Sequence, residues 1–130
     1  MQYTDSSIAI VGLGYVGLPL ANAFSIKHDV LGYDYDSERV KELNQGLDHT
    51  NQISTRDLKK TLQEITFTDR SDLLSDYNIY IITVPTPIDK LNNPNLVPLQ
   101  EASEAVGRFL KKDDIVIYES TVYPGATLLG

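Results

Sequence analysis

The 130-residue chain contains no cysteine and only two histidines. The missing thiols rule out a disulfide scaffold, a thiolate metal site and a cysteine nucleophile within these residues. His28 and His49 stand apart without metal-ligand spacing, so no metal site is expected. His28, near the end of the first expected helix, would favour the negative end of the helix dipole. Positive charge is also scarce. Eleven Lys and Arg against 18 Asp and Glu give a net charge of −7, with no basic stripe to displace counterions from phosphate, which argues against a nucleic-acid partner. Long hydrophobic runs are missing too: the apolar stretches are strand-length and broken by charge or glycine, so no membrane span is expected. Met1 to Asp5 lacks the basic start and apolar core of a signal peptide. The expectation is a single cytoplasmic domain that buries roughly two-thirds of its unfolded surface.

What the chain does have is a G-x-G-x-x-G. Ser7-Ile8-Ala9-Ile10-Val11 reads as an apolar strand, Gly12-Leu13-Gly14-Tyr15-Val16-Gly17 follows, and Leu18-Pro19-Leu20-Ala21 opens a helix. In this arrangement Gly12 allows the tight strand-to-helix turn, Gly14 lets the backbone approach an anion, and Gly17 lets the helix pack closely on the strand. The first N–H groups of the helix would then face a dinucleotide pyrophosphate along the favourable end of the macrodipole.

A glycine loop alone is weak evidence, and Asp34 strengthens it. Asp34 ends the short apolar run Val30-Leu31-Gly32-Tyr33, 22 residues after Gly12, where the dinucleotide fingerprint places an acid that accepts the hydroxyls of the adenosine ribose. A carboxylate there repels the 2′-phosphate of NADP, so NAD is the expected cofactor. Taken alone, Asp34 could equally be a solvated acid before a helix that Asp36 or Ser37 caps.

The remainder alternates between strand and helix, which points to a doubly wound α/β fold with a parallel sheet. Helices are expected over 15–27 (Val16, Leu20, Ala23 and Phe24 inward), 37–45 (Val40, Leu43 and Asn44 inward, ended by Gly46), 54–62 with Ser54 as cap, 71–76 and 99–110. Strands are expected over 7–11, 29–33, 65–68, 78–84 and 114–119, with a loop over 89–98. Right-handed crossovers give a strand order of 3-2-1-4-5 and put a nucleotide at the switch between the first and fourth strands.

Two unusual stretches fall at the carboxyl ends of those strands: Val84-Pro85-Thr86-Pro87, and Glu119-Ser120-Thr121-Val122-Tyr123-Pro124-Gly125. The prolines restrict the backbone, and Thr86, Ser120 and Thr121 offer hydroxyls that donate and accept. The bland alternatives are a simple turn at Pro85-Thr86-Pro87 and a helix cap at Ser120 and Thr121.

Together, Gly12 to Pro19, Val84 to Pro87 and Tyr118 to Thr127 resemble the NAD-binding N-terminal domain of the UDP-glucose/UDP-mannuronate dehydrogenase family, the nucleotide-sugar 6-dehydrogenases, over nearly the whole chain. The resemblance implies a Rossmann domain serving an oxidoreductase that uses two NAD to oxidise the C6 hydroxyl of a UDP-sugar to a carboxylate through a cysteine thioester. It implies cofactor contacts from Gly12, Leu13, Gly14, Tyr15, Val16 and Gly17, from Asp34, and from Arg39 beside the ribose. Arg39 has the alternative of a solvated helix charge. Val84, Pro85, Thr86 and Pro87 would line the cofactor and Ser120 and Thr121 would lie near the nicotinamide, with Thr121 orienting the water that hydrolyses the thioester. Gly46-Leu47-Asp48-His49-Thr50-Asn51, with Tyr123 and Ala126, looks closer to the UDP-N-acetylhexosamine branch of O-antigen and Vi-type capsule synthesis.

The family's nucleophilic cysteine, its central dimer helix and its UDP-binding domain would lie beyond Gly130. These residues are therefore expected to be a fragment that binds NAD without completing the oxidation, and the larger enzyme to be a homodimer. Two rivals share the glycine loop and the acid: a stand-alone NAD-sensing module and another NAD-dependent dehydrogenase, such as a 3-hydroxyacid enzyme. Neither has an evident use for both proline motifs.

Overall fold

A computed structural model describes residues 6–85 and 88–119. Five parallel strands form one sheet: β1 (Ser7–Val11), β2 (Asp29–Tyr33), β3 (Ile65–Thr68), β4 (Ile79–Ile82) and β5 (Ile115–Tyr118), in the order β3-β2-β1-β4-β5. The expected order is confirmed. Ser7 pairs with Asp29 and Val11 with Tyr33, while Val11 also pairs with Ile82 on the other side. The central strand is therefore in register with both neighbours at its carboxyl end.

The period-2 alternation of β1 splits the core into two layers. Ile8 and Ile10 join a cluster with Leu18, Val40, Leu58 and Phe67, and Ala9 and Val11 join one with Leu31, Tyr80, Ala105 and Val106. Burial on both faces explains the near-continuous apolar run of β4. β5 is the edge of the sheet and keeps Ile115 and Ile117 over 40% exposed.

The helices are α1 (Gly17–Phe24), α2 (Ser37–Asn44), α3 (Thr55–Thr61) and α4 (Val97–Gly107), with a 3-10 turn at Ser71–Asp76. α1 is shorter than the expected span. At its start, Gly14 to Val16 belong to the glycine turn, and at its end the Ser25 hydroxyl bonds back to the Asn22 carbonyl before the chain turns into β2. Its inward face also differs: Gly17, Leu18 and Ala21 are buried, Leu20 and Phe24 pack at the margin, and Ala23 is exposed. The cause is the close seating of Gly17 on the turn, which fixes the rotation of the helix. His28 follows the helix, with its N–H on the Phe24 carbonyl and its ring edge-on to Phe24.

α2 is capped by Asp36, whose carboxylate accepts the N–H groups of Glu38 and Arg39. Asn44 lies on the exposed side of α2, although its Nδ2 donates to the Phe67 carbonyl. Ser54 caps α3 by accepting the Asp57 N–H. α4 starts two residues earlier than expected because Pro98, which needs no N–H partner in a first turn, is helical rather than part of the loop. It ends at Gly107 rather than Leu110.

Candidate functional site

The carboxyl ends of β1, β2 and β4 meet the start of α1. Leaving β1, Gly12 adopts φ of +104°, a conformation that strains any side chain, and a Cβ there would lie 2.9 Å from Val84 Cγ1. Its N–H donates to the Tyr33 carbonyl at 2.8 Å, which ties the turn to the end of β2. Its carbonyl accepts the hydroxyl of buried Thr83 at 2.7 Å. Gly17 packs on that same carbonyl, where a Cβ would come within 1.7 Å. At Gly14, by contrast, a Cβ would meet nothing within 4 Å.

The three glycines thus have different tasks. Gly12 and Gly17 are demanded by the fold, whereas Gly14 borders a cleft of about 350 Å³. Val16 supplies no side-chain cap to α1. Within the first turn the Leu18 N–H returns to the Gly14 carbonyl at 3.3 Å and Pro19 carries none, so it is the N–H groups just ahead of them, at the positive end of the helix dipole, that remain for an anion beside the cleft that Tyr15 and Val16 line.

Asp34 follows β2 directly. Its Oδ2 accepts the Leu13 N–H at 2.8 Å and its Oδ1 the Asp36 N–H at 2.9 Å. Burial raises the carboxyl pKa above the usual 3.8, and the two backbone N–H groups only partly oppose it. A carboxylate has about four acceptor positions, so two remain for hydroxyl donors. Asp36 caps α2, as the alternative reading allowed, but Asp34 is not a solvated acid: it is half-buried and its carboxylate holds the Leu13 N–H across 21 residues.

Arg39 is 6% exposed and is therefore no solvated helix charge. Its Nε donates to the Leu13 carbonyl at 2.7 Å, and its Nη1 contacts Glu42 Oε1 and Asp48 Oδ1, both at 2.9 Å. Its Nη2 is buried without a hydrogen-bond partner. The Leu13 peptide is consequently held from both sides, its N–H by Asp34 and its C=O by Arg39. Asp48, with a fully buried side chain, accepts further hydrogen bonds from the N–H groups of Thr50, Gln52 and Ile53 and from the Thr50 hydroxyl. Burial alone would raise the Asp48 pKa, but the hydrogen bonds from Thr50, Arg39 and Ile53 outweigh it and hold the carboxyl at about 2.

The cleft brings together Gly12, Leu13, Gly14, Tyr15, Val16, Asp34, Arg39, Val84 and Pro85. Gly17 is buried behind it. Thr86, Pro87, Ser120 and Thr121 lie outside the described residues. Thr83, Asp36, Thr50 and Pro98 also border the cleft and carry no motif of their own. For Asp48 and Thr50 a signal existed in the Asp-x-Thr spacing of a side-chain-capped turn. For Thr83, which reaches Gly12 across 71 residues, there was none. Among the described residues no cluster of His, Asp and Glu is arranged to hold a metal ion, and no helix is long and apolar enough to cross a membrane.

Open space at Gly14 beside an uncapped helix start, spare acceptors on Asp34 and an unpartnered Arg39 nitrogen suit the ADP-ribose half of a dinucleotide: phosphate at the first, ribose hydroxyls at the second. Comparison with known proteins agrees. The chain is 53% identical to a UDP-N-acetyl-D-glucosamine 6-dehydrogenase of Pseudomonas aeruginosa, covering 95% of this chain and 29% of the relative. It is 52% identical to Protein CapL of Staphylococcus aureus, covering 95% and 28%. The solved structure of a UDP-D-ManNAc dehydrogenase from Pyrococcus horikoshii superposes with a TM-score of 0.81 at 40% identity, covering 93% of this chain and 30% of that one. The chain thus spans less than a third of the length of these relatives. Residues 6–129 match the family model described as UDP-glucose/GDP-mannose dehydrogenase family, NAD binding domain; on that match, and on a cleft whose geometry suits the cofactor, the chain belongs to this family of NAD-dependent dehydrogenases and forms its cofactor-binding domain.

Proposed function

We propose that this chain is the cofactor half of an enzyme that oxidises the C6 hydroxyl of a UDP-N-acetylhexosamine to the uronate with two NAD. The observation that carries the site assignment is the Leu13 peptide, clamped between Asp34 and Arg39 beside the open space at Gly14. That clamp fixes the glycine loop in one geometry before any ligand arrives, so little ordering cost remains on binding. Bound NAD supplies the hydride acceptor for both oxidations.

The chain's own residues bind and orient. With the Leu13 N–H held by Asp34, the N–H groups of Tyr15 and Val16 at the start of α1 hold the pyrophosphate, Asp34 takes the adenosine ribose hydroxyls, and Arg39, which lines the same cleft, stands beside that ribose. Val84, Pro85, Thr86 and Pro87 line the cofactor. Ser120 and Thr121 stand near the nicotinamide, where Thr121 orients the water that releases the acid. The choice of an N-acetylhexosamine rests on the relatives of 53% and 48% identity, both UDP-N-acetyl-D-glucosamine 6-dehydrogenases. The sensing module and the 3-hydroxyacid dehydrogenase gain no support from them.

The nucleophile, the UDP-sugar site and a dimer-forming helix belong to the rest of a longer, cytoplasmic protein. Cysteine is absent from this chain, and no other side chain here replaces a thiolate for aldehyde capture. The test is NADH production with UDP-N-acetylglucosamine, UDP-N-acetylmannosamine and UDP-glucose. The longer protein forms two NADH per N-acetylhexosamine consumed, and the 130-residue chain alone forms none. Turnover by the chain alone, or one NADH per sugar, overturns the proposal.

A further inference from the structure

We infer that Asp48, assisted by Glu42, sets the preference for NAD over NADP by keeping Arg39 from a 2′-phosphate. The inference rests on the cofactor site proposed above. In dinucleotide-binding folds an acid at the end of the second strand takes the ribose 2′-hydroxyl, whereas a nearby arginine accommodates the 2′-phosphate. This chain carries both, Asp34 and Arg39, so selectivity depends on what else each of them holds.

Arg39 is almost fully committed. Nε is spent on the Leu13 carbonyl, and Nη1 is shared by Glu42 Oε1 and Asp48 Oδ1 at 2.9 Å each. One positive charge therefore faces two carboxylates, both ionised at neutral pH. Asp48 is held at about 2; burial alone would raise the Glu42 pKa, but hydrogen bonds from His49 and Arg39 lower it. Asp48 cannot swing away, because four donors from Thr50, Gln52 and Ile53 grip it as well. Only Nη2 is left. A single nitrogen of a neutralised guanidinium suits a hydroxyl or ring nitrogen, not the bidentate, charge-assisted contact that a phosphate requires. Asp48 is on this account a positioning residue, acting on the cofactor through Arg39.

The experiment is calorimetric titration of the 130-residue chain with NAD and with NADP, in wild type, D48N and E42Q, at two salt concentrations. Removing the charge of Asp48 frees Arg39, so the ratio of NADP to NAD dissociation constants falls by about tenfold in D48N and about threefold in E42Q. NADP binding by both variants also becomes more salt-sensitive than in wild type. E42Q decides if D48N does not fold. A ratio unchanged in the folded variants, even with both affinities reduced, overturns the inference and leaves the site assignment standing. A wild-type chain that binds neither nucleotide overturns both.

Discussion

Gly17 sits so close to Gly12 that a Cβ on the first would lie 1.7 Å from the carbonyl oxygen of the second. That oxygen is backbone, bonded to the buried hydroxyl of Thr83, and has no room to retreat. The contact is what seats α1 on β1 and aims the start of the helix at the cleft.

Gly17 and Gly14 therefore respond to alanine in opposite ways. Gly17→Ala destabilises the chain by at least about 3 kcal/mol, the upper part of the overpacking range, lowering the melting temperature by roughly 10 °C. Gly14→Ala places its methyl in open space and leaves the melting temperature within about 2 °C of wild type. Its methyl nevertheless stands where the pyrophosphate approaches, so NAD affinity falls by at least about tenfold. Thermal unfolding and calorimetric titration of the two variants check the contrast.

Thr83→Val removes the hydroxyl that serves the Gly12 carbonyl without changing side-chain shape. The buried acceptor loses its partner, at a cost of about 1–2 kcal/mol. Thr83→Ser keeps the hydroxyl and recovers most of that loss. Chemical denaturation of the three proteins reads the difference.

The two buried acids make opposite contributions to pH dependence. Asp48, held at about 2, contributes stability present above the unfolded carboxyl pKa near 4 and lost as pH falls toward 2, on the order of 2 kcal/mol. Asp48→Asn removes that dependence along with the stability. Asp34 is raised, because burial disfavours its charge; its contribution is fully present below the unfolded pKa and is lost as pH rises through the folded one. The stability of wild type relative to Asp34→Asn accordingly improves on acidification. Denaturation at pH values from 7 to 3 separates the two signs.

For cofactor binding, protonation of Asp34 removes acceptors needed by the ribose. NAD affinity then weakens at a higher pH than it would for an ordinary aspartate. In Asp34→Asn the acid dependence disappears and the gap between NAD and NADP narrows. Titrations at pH 7 and pH 5 check both effects.

The fold was legible because its signals are local. Every strand was readable as an apolar, β-branched run between turn residues, and the spacing of Gly12, Gly14, Gly17 and Asp34 expresses backbone demands that few other residues meet. What escaped the sequence is long-range. The rotation of α1 is set by the seating of Gly17 on Gly12, which exposes Ala23 rather than burying it. The burial of Arg39 depends on Asp48, nine residues on, folding a loop around its own carboxylate. Thr83 looks like any strand-end threonine until β4 is placed beside β1. Electrostatic partners and cross-strand hydrogen bonds are properties of the assembled sheet, so residue type and spacing do not reveal them.

Leu13, gripped by Asp34 and Arg39, presents a preformed site for NAD. Calorimetric titration of the wild-type chain with NAD and NADP at pH 7 reads out that site. The expected result is one NAD per chain, with NADP bound at least about tenfold more weakly. No binding of NAD, or equal affinity for the two nucleotides, would contradict it.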